Sequence, residues 1–110
     1  MYSHKEKYIL NFSTVQQYDE IHKIIKAELD FPYYYGENWS AFWDCLTEMI
    51  DDEECLHIEL VGMETLQHKF PHAQKKILEI LKRLKNHENR SYYNMVKIEI
   101  VLGEARYELH

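Results

Sequence analysis

The chain has 110 residues, 45% of them hydrophobic, and a formal net charge of -6. A chain of this length can bury roughly 65% of the surface that it exposes when unfolded, which is enough for one domain without a disulfide or a structural metal. The negative charge argues against direct binding of nucleic acid, because Lys and Arg side chains drive phosphate binding. It favours a basic protein partner instead, since an acidic surface attracts a basic one during encounter.

Cysteine usage and the N-terminal residues predict a reduced, cytoplasmic location. Cys45 and Cys55 do not form a CxxC pair, and residues 1–12 lack the apolar run of a signal peptide. No apolar stretch approaches the ~20 residues that span a membrane. We therefore expect a soluble protein without a membrane segment.

The first elements in chain order are a short strand and a helix. A brief apolar run over residues 7–12 is typical of a buried strand. Ser13, with Gln16 three residues later, resembles a capping box. The apolar residues that follow share one helical face, which predicts a helix that ends near Asp30. His22 lies on that face, where a hydrogen-bonded structural role is favoured over a catalytic one.

An aromatic loop leads directly into a second helix over residues 39–50. Phe31 precedes a proline and is pushed towards extended geometry, Gly36 can adopt a positive φ, and Asn38 is a favoured N-cap. The helix has one unbroken apolar arc, formed by Cys45, Met49, Phe42, Leu46, Trp39, Ile50 and Trp43. Its other side is a polar and acidic ridge, formed by Thr47, Ser40, Asp44 and Glu48.

The second half of the chain contains two more strands and two more helices. Alternating apolar residues predict strands over 56–61 and 95–102. A short helix over 64–70 comes between them, and Pro71 suits the first turn of a fourth helix. Polar segments flank the last strand, as a loop over 86–94 and a tail over 104–110. Helices separate the strands, which should therefore be parallel, and the predicted fold is an α/β domain with a three-stranded parallel sheet packed with about four helices.

An enzymatic site is not predicted from these residues. Cys45 with His57 is the thiol and imidazole combination worth testing, but Cys45 lies at the edge of the apolar arc, where cysteine behaves as a small apolar residue. Asp44 and Glu48 lie one helical turn apart on an exposed ridge, where like charges are common without chemistry. We therefore expect a protein that is not an enzyme.

Metal and cofactor binding are not expected either. His68 and His72 need not share a helix face, because Pro71 starts a new helix between them. The chain has no HExxH motif, no finger-like spacing of Cys and His and no glycine loop that could cradle a phosphate. The sequence predicts neither a metal site nor a cofactor.

The central segment combines rare residue types in a fixed register, with YYGEN at 34–38, Ala41, and WDCLT at 43–47. It resembles the barstar family, the small intracellular inhibitors of barnase-type ribonucleases. Upstream, Ile21, His22 and residues 26–32 continue the match. The resemblance implies the same order of elements and a single barstar-like domain over 1–110, with the polar tail outside the family pattern.

The resemblance also implies a binding site. In the barstar family a loop tyrosine and a carboxylate on the second helix enter the ribonuclease active site, where the carboxylate takes the place of an RNA phosphate. These roles fall to Tyr34 and Asp44. A phosphodiester site is lined with Arg, Lys and His, to which a carboxylate makes short and strong hydrogen bonds. The predicted partner-binding residues are Tyr34, Gly36, Asn38, Ser40, Trp43, Asp44, Thr47 and Glu48.

Four residues depart from the family pattern. Ser40 stands where the family usually has a second acidic residue on the ridge, and Arg83 stands where an acidic residue of the last helix aligns. Tyr33 replaces a more polar residue, and Glu48 replaces a small one. These changes keep the scaffold and alter the charge of the predicted interface.

The sequence therefore predicts a barstar-like ribonuclease inhibitor or toxin-immunity protein, whose partner is a basic extracellular-type ribonuclease or a related toxin. The alternative is a non-inhibitory binding or regulatory module that uses the same face for another basic partner. A homodimer through Trp43 and the tyrosines is disfavoured, because the acidic ridge would repel its own copy. We expect a monomer when the protein is free.

Overall fold

The computed structural model describes residues 7–52, 56–86 and 96–109. Its elements, in chain order, are β1 (Tyr8–Asn11), α1 (Asp19–Glu28), α2 (Trp39–Asp52), β2 (Leu56–Val61), α3 (Met63–Lys69), α4 (Pro71–Lys85), β3 (Val96–Leu102) and β4 (Ala105–Glu108). The α/β class is confirmed, and so are the four predicted helices, all of which lie in the described residues. The predicted loop over 86–94 lies almost entirely outside the described residues. No helix within the described ranges is long and apolar enough to cross a bilayer.

In the part of the chain that the structure describes, the sheet has four strands in the order β1-β2-β3-β4. β1, β2 and β3 are parallel, as predicted, whereas β4 runs antiparallel to β3. The prediction of a three-stranded, wholly parallel sheet is therefore wrong by one strand, and most of the predicted polar tail is β4. A tight turn permits this hairpin: Leu102 pairs with Ala105, and Gly103 between them has a φ of 60°.

One face of the sheet packs against the helices. Tyr8 of β1, Ile58 of β2 and Ile98 of β3 are partners in register, and all three are fully buried. The apolar arc of α2 joins them in one core, as predicted, through Phe42, Cys45, Leu46, Met49 and Ile50. Trp39 and Trp43 are partly buried at the border of that core.

The opposite face of the sheet carries a buried carboxylate held by cations. Glu59 is 3% exposed, the Lys7 ammonium donates to it at 2.8 Å, and the Arg106 guanidinium of β4 also donates to it. These hydrogen bonds, from Lys7 first and then Arg106, lower the pKa of Glu59. On the same face His57 Nε2 lies 2.7 Å from Glu99 Oε1. Arg106 therefore fastens β4 to the centre of the sheet.

The start of α1 differs from the prediction. The helix begins at Asp19, and Ser13 instead donates to the Asn11 side chain through both its N–H and its hydroxyl. The carboxylate of Glu20 accepts from the N–H groups of Gln16 and Gln17 at 2.8 and 2.6 Å, and these bonds lower its pKa. The predicted capping box is wrong, because Glu20 already satisfies the donors before the first turn.

The junctions of α3 and α4 follow from a glycine and a proline. Gly62 precedes α3 with a φ of 81°, and a Cβ placed there would lie 2.3 Å from the backbone nitrogen of Ser13. Only glycine fits such a close approach. Pro71 stands in the first turn of α4, as predicted, where its missing N–H costs no helical hydrogen bond.

Candidate functional site

The loop before α2 is anchored by two buried aromatic side chains. Phe31 and Tyr35 are buried, with ring centroids 5.2 Å apart. The Tyr35 hydroxyl is hydrogen-bonded to His22 Nδ1 of α1 at 2.6 Å, and His22 is itself buried. Burial lowers the pKa of His22 and raises that of Tyr35, so both groups are neutral near pH 7. The structural role predicted for His22 is confirmed.

The other two tyrosines of the loop face the solvent. Tyr33 is 89% exposed and Tyr34 is 60% exposed, and their rings make an edge-to-face contact with centroids 5.7 Å apart. The Tyr34 hydroxyl donates a long hydrogen bond of 3.4 Å to Glu48 of α2. Loss of hydration and then the Glu48 carboxylate raise the pKa of Tyr34. This bond links the exposed end of the loop to the polar ridge of α2.

The junction between the loop and α2 confirms the predicted cap. Asn38 Oδ1 accepts from the N–H of Ala41 at 2.8 Å, and Asn38 Nδ2 donates to the carbonyl of Gly36 at 3.2 Å. The positive φ of this turn belongs to Glu37, at 52°, and not to Gly36 as the sequence suggested. Glycine suits position 36 for another reason. A Cβ at this position would lie 3.1 Å from Asn38 Nδ2, which is a tight contact.

The polar ridge of α2 presents its carboxylates to the solvent. Ser40, Asp44 and Glu48 follow one another at intervals of one helical turn, and all three are exposed. Thr47 is half-buried, and its hydroxyl donates to the Asp44 carbonyl at 2.8 Å. Within the described ranges the Asp44 carboxylate makes no ion pair. It is therefore available to accept hydrogen bonds from a partner.

An open groove of about 350 Å³ runs between α2 and α4 beside this ridge. Its lining residues are Trp39, Ser40, Trp43 and Asp44 from α2 and Lys76, Glu79, Ile80 and Arg83 from α4. The Arg83 guanidinium carbon lies 4.1 Å from the centroid of the Trp43 ring, in a cation–π contact. The groove thus combines an indole floor with charged groups of both signs.

The structure brings most of the predicted site residues onto one surface. Ser40, Trp43 and Asp44 line the groove, Glu48 continues the ridge, and Tyr34 reaches Glu48 from the loop. The predicted residues Gly36 and Asn38 shape the turn, and Thr47 is turned towards the helix backbone. Their roles in partner binding stay predictions.

On the α4 wall of this surface, the family resemblance pointed to Arg83, and sequence reasoning missed Lys76 and Glu79. Lys76, Glu79 and Arg83 recur at helical spacing on the outward face of α4, a pattern that is also typical of a helix face exposed to solvent. Their proximity to Asp44 depends on the packing of α4 against α2, and no local pattern reports that packing. The signal that the sequence offered was the periodic spacing of these charged residues, which does not show that their helix packs beside α2.

The thiol and imidazole combination does not form in the structure. Cys45 is buried in the core, where burial raises the pKa of its thiol and disfavours the nucleophilic thiolate. His57 alternates with the buried Leu56 and Ile58, so its ring lies on the opposite face of the sheet, against Glu99.

The described residues also contain no group of three or more His, Cys, Asp or Glu side chains that could hold a metal ion. His68 lies near the end of α3 and His72 near the start of α4, and both are exposed. The separation that the sequence predicts for this pair agrees with the break between the two helices.

The chain is similar in sequence to known proteins. The sequence model of the family described as Barstar (barnase inhibitor) matches residues 6–99. The chain is also 42% identical over 45 residues to "Putative ribonuclease inhibitor YrdF" of Bacillus subtilis (strain 168), a match that covers 41% of this chain and 50% of that protein. The chain thus matches about half the length of this relative. It belongs to the barstar family, whose members are inhibitors and not enzymes, as its central segment predicts.

Proposed function

We propose that this protein inhibits a ribonuclease by covering a basic active site with the 31–38 loop and the ridge of α2. In this proposal Asp44 accepts hydrogen bonds from the cations that would bind an RNA phosphate, and Tyr34 packs beside it. The observation that carries the proposal is the exposed Asp44 carboxylate, which has no ion pair within the described ranges and borders a groove lined by two tryptophans.

Electrostatics explains why a carboxylate suits this position. A ribonuclease site must hold a phosphodiester with Arg, Lys or His, and a carboxylate can accept two of their N–H donors at once. Trp43 and Tyr34 are large surfaces that exclude water when a partner docks, which strengthens each charged contact. The net charge of -6 would accelerate encounter with a basic enzyme.

The proposal extends to the cellular context. A chain that restrains a ribonuclease of its own cell would act as an immunity protein, and the target would be a basic, extracellular-type ribonuclease that is toxic before export. Such a role requires a cytoplasmic location, which the spacing of the cysteines favours. The inhibitor would act as a monomer, because the acidic ridge disfavours contact with its own copy.

Inhibition of barnase with a fluorogenic RNA substrate tests the proposal. Wild type should reduce the activity at a one-to-one ratio, and Asp44→Asn should bind at least ~30-fold more weakly, a loss of about 2 kcal/mol. Glu104→Gln is the matched control, since it removes the same charge from an exposed position in the turn between β3 and β4. Equal inhibition by wild type and Asp44→Asn would contradict the role of Asp44.

Direct binding should be measured beside inhibition. Isothermal titration with barnase reports association whether or not the active site is blocked. Binding without loss of activity would support the alternative, a module that uses the same face without inhibiting the enzyme. The observation that favours this second function is the mixed charge of the groove, which suits partners other than a wholly basic active site.

A further inference from the structure

The α4 wall of the groove carries two cations that face the acidic ridge of α2. Lys76 and Arg83 both line the groove, with Asp44 on the opposite wall. Neither cation makes an ion pair within the parts of the chain that the structure describes. Glu79 also lines the groove and lies one helical turn before Arg83, the spacing at which such pairs form, yet it does not pair with it. The groove therefore presents unneutralised charges of both signs.

Among the described residues, Arg83 contacts the Trp43 ring and makes no ion pair with a carboxylate. Its guanidinium lies over the indole ring at 4.1 Å. A guanidinium stacked on an aromatic face keeps its N–H donors in its own plane, where they are available to a planar acceptor, and the stacking reduces the entropy lost on binding. Arg83 is exposed, so these donors are open to a partner. A carboxylate is the acceptor that matches this fork of donors.

We propose that Arg83, together with Lys76, sets the specificity of the inhibitor by selecting a ribonuclease that carries a carboxylate beside its basic active site. This inference rests on the proposed function, because it assumes that Asp44 meets the basic site itself. The inhibitor then contributes charges of both signs to the interface. Asp44 faces the cations of the ribonuclease active site, and Arg83 faces a carboxylate at the rim of that site. A ribonuclease whose rim is wholly cationic would be disfavoured by Arg83, since like charges across an interface oppose binding.

The first experiment measures the affinity of three variants for barnase. Arg83→Glu reverses the charge on the groove wall, and Arg83→Gln removes the charge while keeping a polar side chain with N–H donors. Lys82→Glu is the matched control, because Lys82 is exposed on the same helix and does not line the groove. We expect Arg83→Glu to bind about tenfold tighter than wild type and Arg83→Gln to lie between them. Lys82→Glu should change the affinity by less than about threefold.

The second experiment supplies the missing acid. A panel of barnase variants carries single glutamates at surface positions around the active site, one position in each variant. At least one barnase variant should bind the wild-type inhibitor about tenfold tighter than unmodified barnase does. This gain in affinity should disappear when the inhibitor carries Arg83→Gln, and it should become a loss when the inhibitor carries Arg83→Glu. Thermal melts of every variant confirm that affinities are compared between folded proteins.

The outcomes separate this inference from the proposed function. Inhibition by wild type together with equal affinities of wild type and Arg83→Glu, or a panel with no coupling to Arg83, overturns the specificity role and leaves inhibition intact. Inhibition by Arg83→Glu alone supports both proposals. Failure of all variants to bind any member of the panel overturns both, since neither the basic site nor the added acid is then recognised.

Discussion

The hydrogen bond between Tyr35 and His22 allows a quantitative test of how the binding loop is held. Tyr35→Phe removes only the hydroxyl and keeps the ring, so its contact with Phe31 is retained. His22 Nδ1 is then left buried without that partner. An unsatisfied buried polar group costs about 1–3 kcal/mol, and the middle of this range is ~2 kcal/mol. For a chain of this size each kcal/mol lowers the melting temperature by ~4 °C, so we expect a decrease of about 8 °C.

Thermal unfolding followed by circular dichroism checks this value. Tyr34→Phe is the matched control, because its hydroxyl is exposed and makes only the long bond to Glu48, and it should change the stability by less than about 0.5 kcal/mol. In a double-mutant cycle, His22→Leu combined with Tyr35→Phe should cost less than the sum of the single changes, by ~1 kcal/mol or more. The reasoning is refuted if Tyr35→Phe melts at the same temperature as Tyr34→Phe.

Two further predictions concern stability. Burial lowers the pKa of His22 below 6.5, so the unfolded chain binds a proton at higher pH than the folded chain, and the free energy of unfolding should decrease as the pH falls through 6.5. Urea unfolding at about pH 7.5 and about pH 5.5 should show a smaller decrease for His22→Leu than for wild type, and equal decreases would exclude His22 as the cause. Gly62→Ala should cost at least ~2 kcal/mol, because the new Cβ meets the Ser13 backbone at 2.3 Å in addition to the strain of a positive φ. Gly103→Ala, whose Cβ would meet nothing within 4 Å, should cost only about 1 kcal/mol in the same denaturation assay, and equal costs would show that the close approach at Gly62 is relieved.

The parts of the fold that could be predicted are those determined by residues close together in the sequence. The apolar arc of α2 recurs at helical spacing, Asn38 is followed by a helix that it caps, and Pro71 is tolerated within a helix only in the first turn, where it stands in α4. Each of these signals acts within a few residues. The elements that contain them are therefore where the sequence placed them.

The fourth strand was not predictable in this way. All four side chains of β4 are exposed, and the alternation of Ala105 and Tyr107 with charged residues is too short to distinguish a strand from a polar tail. Its stability comes from backbone pairing with β3 and from side chains that are distant in sequence, such as Arg106 with Glu59 and Lys85 with Glu108. The same limit applies to the groove, where Arg83 meets Trp43 across two helices. Contacts of this kind exist only after the chain has folded.

The position of β4 also bears on how the protein avoids association with other chains. Without β4, the seven-residue strand VKIEIVL would expose its backbone donors and acceptors along the edge of the sheet, where any extended segment could add by hydrogen bonding. β4 replaces that long apolar edge with one of four residues that carries Arg106 and Glu108. Short, charged edges resist the addition of further strands. The hairpin of β3 and β4 thus protects the protein against aggregation through this edge of the sheet.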